Sequence, residues 1–426
     1  MDEQEYIEYV ETEKEKLISK VSSYRNRFIV DTLIDKEINS FQKNRDNLII
    51  LYTGLRGIGK SVALYKVLSK YPKSLFIDGS RLRISNLKLV DVIDKYKQIN
   101  NNKILLIDEL NEIPNWGLTL KTIYDLYGLK VIATGSSALK MSLEKNAILR
   151  RCKTISIQPL GFREFLKLKY NLDINIKDKL IEILFLNPKN ISEKLLKLSM
   201  EINQIDNQIY LHFREYVNSG FPFILNNQSL SVEELSDNLI QKIVVDDFKS
   251  TTDFSLETIT KAKDLIRILA NYAPGEVSYE KLSKDLNISL STVSKILNAF
   301  YSSELLIRIL NNKSGLYKLR KVPKIYFSSH VIRSGFLDNK NIGAIREDIF
   351  VSHMIYNDIK VNYISTKKKS PDFEITFENK KAIVEIGGYG KKTDQLEKGF
   401  LIIDDSNYQI LDKDVIVLPL FLVCLI

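Results

Sequence analysis

The sequence predicts an α/β protein whose first domain is a parallel β-sheet flanked by helices. Three apolar runs, at residues 48–52, 103–107 and 130–133, have the composition of strands buried on both faces of such a sheet. Each run is followed closely by glycines, acidic residues or small hydroxyl residues. Because ligands collect at the carboxyl ends of the strands in an open α/β sheet, we expect a functional site at that edge.

A phosphate-binding loop follows the first run. Residues 54–61 read Gly-Leu-Arg-Gly-Ile-Gly-Lys-Ser, the complete G-x-x-x-x-G-K-S pattern, and a segment with helical spacing comes next. Lys60 is expected to reach the β- and γ-phosphates of a nucleotide, and the Ser61 hydroxyl to bind Mg²⁺. The alternative is a glycine-rich turn that binds nothing. The residues expected to surround the phosphates are Gly54, Leu55, Arg56, Gly57, Ile58, Gly59, Lys60, Ser61 and Val62.

Two acidic residues end the second run. Asp108 is expected to hold Mg²⁺ through water, and Glu109 to orient and deprotonate the water that attacks the terminal phosphate. An Asp-Glu pair after a strand is by itself an ordinary solvated turn. Its interpretation as part of a hydrolytic site therefore depends on the phosphate loop upstream.

Further polar candidates follow the third run. Thr134 and Ser136 stand where a side chain can hydrogen-bond the γ-phosphate or the attacking water, although Thr-Gly-Ser-Ser is also an ordinary turn. Arg151 is a candidate for a γ-phosphate sensor or for an arginine finger acting on a neighbouring subunit. The alternative is an arginine at the surface end of a helix.

Together these motifs resemble the prokaryotic, archaeal-type AAA+ ATPases. The resemblance rests on the phosphate loop, Ile-Asp-Glu-Leu, Ala-Thr-Gly-Ser-Ser-Ala-Leu, and the Arg-x7-Pro-Leu-x-Phe-x-Glu-Phe stretch that starts at Arg151. It covers most of the chain, from about residue 20 to the end. It implies ATP and Mg²⁺ as ligands and a nucleotide-sensing arginine at Arg151, with Arg150 one residue out of register. It also implies a winged helix and a C-terminal domain similar to PD-(D/E)XK nucleases after the ATPase core.

The composition narrows the setting. A chain of 426 residues with 44% hydrophobic residues can form two to four domains with real cores. The acidic N-terminus does not look like a secretory signal, and Cys152 and Cys424 are too few for a disulfide framework, so a reducing cytoplasm is expected. Three histidines without clustered spacing argue against structural zinc. The apolar end, residues 415–426, is too short for a membrane helix and is expected to contain a strand.

Four domains are predicted. They are an AAA+ P-loop core with an N-terminal helical segment at 1–161, a helical lid at 162–255, a winged helix at 256–333 and the restriction-endonuclease-like α/β domain at 334–426. Leucine and isoleucine recur at helical spacing throughout the lid region.

A helix-turn-helix pattern identifies the third domain. Segments 262–270, 279–286 and 290–303 predict three helices, and 305–320 predicts two strands joined by a turn. No acidic residue occurs between Glu304 and Asp338, so the predicted wing is basic. DNA contact is the favoured interpretation, and a protein-interaction or spacer module is the alternative. The candidate DNA-binding residues are Ser291, Thr292, Ser294, Lys295, Lys313, Lys318, Arg320 and Lys321.

Three spaced carboxylates mark the last domain. Glu347 on a helix, Asp372 at a strand start and Glu385 in a central strand follow the pattern by which restriction-type nucleases gather carboxylates around a metal ion. The lysine expected two residues after Glu385 is replaced by Gly387. Lys391, Lys392 and Gln395 are possible substitutes. A non-cutting domain with a vestigial site is favoured over an active nuclease.

The sequence thus predicts a cytoplasmic, Mg²⁺-dependent ATPase that couples its nucleotide state to DNA or to a protein partner. An ATP-switched DNA-binding or signalling module with little turnover is one alternative, and an ATP-gated metal-dependent nuclease is another. A homo-oligomer is a possible assembly, because an arginine finger would have to come from a neighbouring subunit. No membrane partner is expected.

Overall fold

The computed structural model describes the chain apart from residues 22–26, 44–48, 100–102, 186–189, 227–229, 249–253, 275–276, 314–321, 338–341, 366–369, 392–395, 407–408 and 411–414. The chain divides into two units. The first unit consists of Met1–Pro159 and Ser302–Glu304, and the second of Leu160–Tyr301 and Leu305–Ile426. The predicted division into four domains is finer than this and stays a prediction.

Five parallel strands form the sheet of the first unit, in the order β2–β3–β4–β1–β5. They are β1 (Ile49–Thr53), β2 (Leu75–Asp78), β3 (Ile104–Asp108), β4 (Lys130–Thr134) and β5 (Cys152–Ser156). The three apolar runs form β1, β3 and β4, which confirms the predicted strands. Since β1 and β3 both pair with β4 in parallel, their carboxyl ends meet at one edge.

Helices cover this sheet. They are α1 (Glu3–Val21), α2 (Phe28–Lys43), α3 (Lys60–Lys70), α4 (Gly79–Ile84), α5 (Leu89–Ile99), α6 (Trp116–Tyr127) and α7 (Ala138–Glu144), with 3₁₀ turns at Leu110–Glu112 and Lys145–Ile148. Helix α1 packs against α3 and α5. The Tyr6 hydroxyl of α1 donates a hydrogen bond to the Asp78 carbonyl oxygen at 3.0 Å, which fixes α1 to the end of β2.

The second unit begins with a helical region. Its helices are α8 (Phe162–Tyr170), α9 (Lys177–Phe185), α10 (Ile191–Ile205), α11 (Ile209–Ser219), α12 (Pro222–Asn226) and α13 (Val232–Gln241), followed by a π-helix at Lys242–Phe248. The rings of Phe162, Phe213 and Tyr216 are buried, and the Phe162 centroid lies 5.1 Å and 5.4 Å from the other two. The predicted helical character is confirmed, and the role as a lid stays a prediction.

Three helices and a strand pair follow. They are α14 (Leu256–Asn271), α15 (Tyr279–Leu286), α16 (Leu290–Ser302), β6 (Leu306–Ile309) and β7 (Lys324–Phe327). Val293, Ile296 and Phe300 of α16 are buried, as the predicted division of its faces requires. Strand β6 pairs in antiparallel fashion with β7. The wing strand predicted at 316–320 lies outside the described residues, and β7 is the described strand that pairs with β6.

A mixed sheet completes the second unit, in the order β12–β13–β11–β10–β9–β8. Its strands are β8 (Lys360–Tyr363), β9 (Phe373–Phe377), β10 (Lys380–Gly387), β11 (Gly399–Ile403), β12 (Gln409–Ile410) and β13 (Val415–Pro419). The accompanying helices are α17 (His330–Ser334), α18 (Ile342–Tyr356) and α19 (Leu420–Val423). Strand β10 runs antiparallel to β9 and parallel to β11, so it lies in the middle of the sheet.

A buried ion pair connects several of these elements. The Arg333 and Asp348 side chains are almost completely buried and form a charge-assisted pair. Arg333 Nη1 also donates to the carbonyl oxygens of Leu269 and Ala270, both at 3.0 Å, at the end of α14. Asp348 Oδ1 accepts the Phe327 backbone N–H at 2.9 Å. The pair therefore links α14, β7, α17 and α18, and each charge has the partners that burial demands.

The apolar end of the chain is part of this core. Residues 415–419 form β13 and residues 420–423 form a short helix, and the side chains of 415–426 are buried. The prediction of a strand in this region is confirmed. In the described part of the chain, no helix has the length and hydrophobicity needed to span a membrane.

Candidate nucleotide site

The phosphate loop lies between the end of β1 at Thr53 and the start of α3 at Lys60. Gly54 has a φ of 138°, and a Cβ added there would lie 2.4 Å from the Ile157 carbonyl oxygen, so only glycine fits. Gly59 precedes the helix in the left-handed region with a φ of 98°. These angles form the strand-to-helix turn that directs backbone N–H groups and the helix N-terminus toward a phosphate.

The side chains of the loop divide into two kinds. Leu55 and Ile58 are buried, so only their backbone is available to a ligand, while Arg56 and Val62 are half-buried. The loop residues predicted from the sequence are therefore gathered at one place, with the apolar members anchoring the loop in the core.

Lys60 rests on the loop itself. Its Nζ donates hydrogen bonds to the carbonyl oxygens of Gly54 and Leu55, both at 2.9 Å. Burial lowers the pKa of Lys60 to about 8, since water is replaced by neutral carbonyl groups. The ammonium group is thus positioned at the loop, and no carboxylate of the described residues forms an ion pair with it, so it can accept a phosphate.

The Asp108 carboxylate accepts hydrogen bonds from three side-chain hydroxyls. Ser61 Oγ donates to Oδ1 at 3.0 Å, and Tyr65 OH donates to Oδ2 at 2.8 Å. Thr134 Oγ1 also donates to Oδ1. Hydroxyl and carboxylate oxygens are the ligands that Mg²⁺ prefers. The adjacent Ser61 and Asp108 oxygens therefore fit a Mg²⁺ ion that accompanies a nucleotide.

Glu109 adopts an unusual backbone conformation. Its φ of 53° and ψ of 45° lie in the left-handed region, which is uncommon for a residue with a side chain. Its carboxylate accepts the Ser136 backbone N–H at 3.2 Å. Ser136 thus acts here through its main chain rather than its hydroxyl. Strain of this kind is found at functional sites, where surrounding contacts hold the side chain in one place.

Two residues that the sequence reasoning missed support this site. Arg27 is buried, and its guanidinium donates to the carbonyl oxygens of Ile58 and Gln158, both at 2.9 Å. It therefore fixes the phosphate loop to the segment after β5. Tyr65 binds Asp108 and lies four residues after Ser61. The i, i+4 spacing could have predicted this role for Tyr65, because it places the Ser61 and Tyr65 hydroxyls on one face of α3. No pattern near Arg27 in the sequence predicts its contact with the loop.

Arg151 lies at the amino-terminal ends of the strands, opposite to the phosphate loop. Strand β5 begins one residue later and runs parallel to β1, and the Ile49 N–H donates to the Arg151 carbonyl at 3.0 Å. The five residues of β1 separate these amino-terminal ends from the phosphate loop, a distance of roughly 15 Å along the strand. The Arg151 guanidinium instead pairs with Asp125 at 3.1 Å. In this structure Arg151 is thus directed away from the phosphate loop, and both the sensor role and the finger role in a neighbouring subunit stay predictions.

The candidate DNA-binding residues of the second unit are partly accessible. Ser291 and Lys295 on α16 are exposed, Thr292 and Ser294 are half-buried, and Lys313 is exposed. The hydroxyl of the preceding Ser289 accepts the Thr292 N–H at 3.1 Å, which caps the start of α16. The other candidates lie outside the described residues: Lys318, Arg320 and Lys321.

The three carboxylates of the second unit already have protein partners. Glu385 accepts the Asp372 backbone N–H at 3.1 Å and pairs with Lys391 Nζ at 2.8 Å. Asp372 Oδ2 accepts a backbone N–H of β10 at 2.8 Å, and Glu347 accepts the Tyr326 hydroxyl at 2.9 Å. Burial raises the pKa of Glu347 to about 7. Among the described residues, no three or more histidine, cysteine or acidic side chains are arranged to hold a metal ion. In the structure, protein donors occupy these carboxylate oxygens, and the vestigial metal site at Glu347, Asp372 and Glu385 stays a prediction.

Lys391 occupies the space left by Gly387. A Cβ added at Gly387 would lie 2.5 Å from both Cβ and Cγ of Lys391, so the lysine stem crosses the glycine on its way to Glu385. Of the three substitutes considered, Lys391 reaches the cluster, while Lys392 and Gln395 lie outside the described residues.

Comparisons with known proteins agree with the nucleotide site. Residues 46–166 match the AAA domain, and residues 211–341 match a domain of unknown function (DUF8612). MJ1637 of Methanocaldococcus jannaschii is 30% identical over 401 residues, which cover 88% of this chain and 83% of that protein. The chain belongs to the MJ1637 family. A second protein of the same organism, MJ1544, is 28% identical over 357 residues, covering 79% and 74% of the two chains.

Solved structures are similar to this MJ1637-family protein only at a low level. A Thermotoga maritima RuvB mutant is 13% identical with a TM-score of 0.30, covering 67% of this chain and 91% of that one. The Aeropyrum pernix Orc1 protein in complex with DNA is 13% identical with a TM-score of 0.28, covering 78% and 94%. Such scores carry no argument. Residues 46–166 contain the phosphate loop, and their match to the AAA domain agrees with the P-loop ATPase fold that the sequence predicted for this part of the chain.

Proposed function

We propose that the first unit is a Mg²⁺-dependent ATP hydrolase and that its nucleotide state controls DNA binding by the second unit. The observation that carries the hydrolase proposal is the meeting of Lys60, the Ser61–Asp108 pair and Glu109 at one edge of a parallel sheet. These are the groups that phosphoryl transfer to water needs: a cation for the phosphates, ligands for Mg²⁺ and a base.

Each group has a defined task in this proposal. The loop N–H groups and Lys60 bind the β- and γ-phosphates, and Lys60 exchanges its carbonyl partners for phosphate oxygens. Ser61 and Asp108 would hold Mg²⁺, which would supply positive charge to neutralise the charge that develops on the phosphate oxygens. Glu109 accepts a proton from the attacking water, and the Ser136 N–H holds its carboxylate in place. Thr134 keeps Asp108 oriented.

Measuring ATP turnover in variants tests the hydrolase. Glu109→Gln is expected to reduce kcat by roughly 10²–10⁴-fold while ATP still binds, because only the base is lost. Lys60→Ala is expected to abolish both binding and turnover. Glu13→Gln, which removes a surface partner of Lys16 on α1, serves as the control. Unchanged turnover in both site variants of a well-folded protein would show that the site is misassigned.

Control of DNA binding is proposed on the helix arrangement of the second unit. Helices α15 and α16 have the helix-turn-helix order, and Ser291, Lys295 and Lys313 are exposed. Lysine contacts to phosphate make affinity depend on salt. In a titration of duplex DNA, the double variant Lys295→Ala/Lys313→Ala is expected to bind more weakly and with a salt slope smaller by about two. Lys16→Ala in the first unit is the matched control.

Turnover separates this proposal from an ATP-switched module. A hydrolase gives many cycles per protein molecule, with or without DNA, whereas a pure switch binds ATP and hydrolyses little. If one turnover or less is seen under all conditions while ATP binds, the switch is the better description.

A nuclease activity is not part of the proposal. The carboxylates that would bind its metal ion are engaged by Lys391 and by backbone and tyrosine donors. We therefore expect no nicking of plasmid DNA with Mg²⁺ or Mn²⁺, in the presence or absence of ATP. Nicking that disappears in Glu385→Ala would overturn this.

A further inference from the structure

An acidic residue that the proposed mechanism does not use lies at the nucleotide side of the first unit. This is Glu304, in the short segment Ser302–Glu304 that belongs to the first unit although it is distant in sequence. Its Oε2 accepts the Ser156 hydroxyl at 2.5 Å. Its backbone has a φ of 59°, in the left-handed region. A strained backbone and a short charge-assisted hydrogen bond both indicate that this carboxylate is held at a fixed position.

The position is next to the phosphate loop. Ser156 is the last residue of β5 and pairs in register with Thr53, the residue before the loop. Gly54 follows, packed against the Ile157 carbonyl, and its own carbonyl accepts Lys60 Nζ at 2.9 Å. Glu304 is thus connected to the Lys60 ammonium through one strand pair and two side-chain hydrogen bonds.

These connections bring the Glu304 carboxylate close enough to Lys60 for an electrostatic interaction between the two charges. Burial lowers the pKa of Lys60, and the charge that opposes this most is that of Glu304, ahead of Glu109. Without nucleotide, Glu304 therefore supplies part of the negative potential that stabilises the Lys60 ammonium. A γ-phosphate on Lys60 would bring more negative charge to the same place, and like charges in a partly buried site repel.

We propose that Glu304 distinguishes ATP from ADP. This inference rests on the proposed function and adds regulation of the same nucleotide site. The γ-phosphate, which ADP lacks, adds negative charge at Lys60 next to the Glu304 carboxylate, so ATP weakens the hold on Glu304 more than ADP does. In the chain, Glu304 stands between the end of α16 at Ser302 and the start of β6 at Leu306. Because Glu304 lies two residues after the predicted DNA-recognition helix α16, a displacement of Glu304 can be transmitted to that helix through the backbone.

The test is the ratio of ADP to ATP dissociation constants, measured with Mg²⁺, ADP and a non-hydrolysable ATP analogue. Glu304→Gln keeps the shape and the acceptor for Ser156 but removes the charge. It is expected to tighten binding of the ATP analogue by roughly tenfold and to change ADP binding by less than about threefold. Ser156→Ala keeps the charge but loosens it, and is expected to shift the ratio in the same direction by a smaller factor.

Controls separate this inference from the proposed function. Glu13→Gln removes an equal charge from α1 and is expected to leave the ratio unchanged. If the unmodified protein binds both nucleotides and Lys60→Ala abolishes binding, but Glu304→Gln changes neither or both equally, only the role of Glu304 is overturned. If the unmodified protein binds neither nucleotide, the proposed function and this inference fail together.

Discussion

Two lysines in this protein stand beside carboxylates, and they are in opposite situations. Lys60 in the first unit donates to two neutral carbonyl oxygens, and burial lowers its pKa to about 8. Lys391 in the second unit donates to the Glu385 carboxylate. Although partial burial acts to lower it, Glu385 raises the pKa of Lys391 above its usual value. Within the described part of the chain, the first lysine donates to neutral oxygens and is free to bind an anionic ligand, whereas the second lysine is paired with a carboxylate of the protein.

The carboxylates differ in the same way. Asp108 is surrounded by hydroxyls of Ser61, Tyr65 and Thr134, which carry no charge and allow a divalent cation to be added. Glu385 already has an ammonium group as its cation. The type and spacing of carboxylate residues are therefore insufficient to define a metal site. The charge of the nearest partner decides whether the carboxylate still needs a cation from solution.

Exchanging each lysine for methionine gives the largest expected difference. Lys60→Met should weaken binding of a fluorescent ATP analogue by about a hundredfold or more, because about 3 kcal/mol of charge-assisted bonding to phosphate is lost. Lys391→Met should change it by less than twofold. If both variants had native circular dichroism spectra and lost similar affinity for the ATP analogue, the proposed difference between the two lysines would be wrong.

The same two variants should differ in stability. Lys391→Met leaves the buried Glu385 without its cation and is expected to reduce the free energy of unfolding of the second unit by about 1–2 kcal/mol. This is below the value for a fully buried pair, since Lys391 is partly exposed. Lys60→Met removes a desolvated charge and should leave the nucleotide-free first unit equally or more stable.

Urea unfolding separates the two effects. The single tryptophan, Trp116, is buried in the first unit, so its fluorescence reports that unit alone. Lys391→Met should shift the circular dichroism transition without shifting the fluorescence transition. Lys16→Met, at an exposed pair, is the control. A fluorescence shift toward lower urea in Lys60→Met would contradict the expected sign.

The depressed pKa of Lys60 predicts a pH dependence of nucleotide affinity. Below about pH 8 the free protein carries the Lys60 ammonium, and above it the group is increasingly neutral, so phosphate binding must first take up a proton. Affinity for ADP is expected to fall by up to roughly tenfold between pH 7 and pH 9. Lys60→Arg, which stays charged, should remove that decline. An identical decline in both proteins would assign it to another group.

The smallest effect is expected at Tyr65. Tyr65→Phe removes one of the three hydroxyl donors to Asp108 and should raise the Mg²⁺ concentration for half-maximal turnover by a few-fold, about 1 kcal/mol. Tyr96→Phe, which removes a hydroxyl that donates to the Lys73 carbonyl oxygen, is the matched control. No change at Tyr65 would mean that Ser61 and Thr134 suffice to orient Asp108.

Local patterns predicted the first unit well. The glycines of the phosphate loop, the buried apolar strands and the acids that follow β3 are determined by backbone geometry and burial, which leave signals within a few residues. Helix α18 and strands β9 and β10 were likewise predicted around Glu347, Asp372 and Glu385. These features depend little on the rest of the chain.

Contacts between distant segments could not be predicted. Arg27 binds the phosphate loop at Ile58 and also binds Gln158, which is 131 residues away in the chain. The position of Arg151 at the start of β5 follows from the parallel pairing of β5 with β1. The engagement of Glu385 by Lys391 depends on the path of a turn. A single sequence contains no pattern that reports such distances, so Arg27 was missed and Lys391 was only one of three candidates.

The crossing of Gly387 by Lys391 has a consequence for comparing relatives. Only one of these two positions can hold a long side chain, because both would fill the same volume. We expect the two to covary: relatives with lysine at the position of Gly387 should have a small residue at that of Lys391, and the reverse. If a search of relatives inspects only the position two residues after Glu385, it will count a lysine that has moved to the position of Lys391 as a lost lysine.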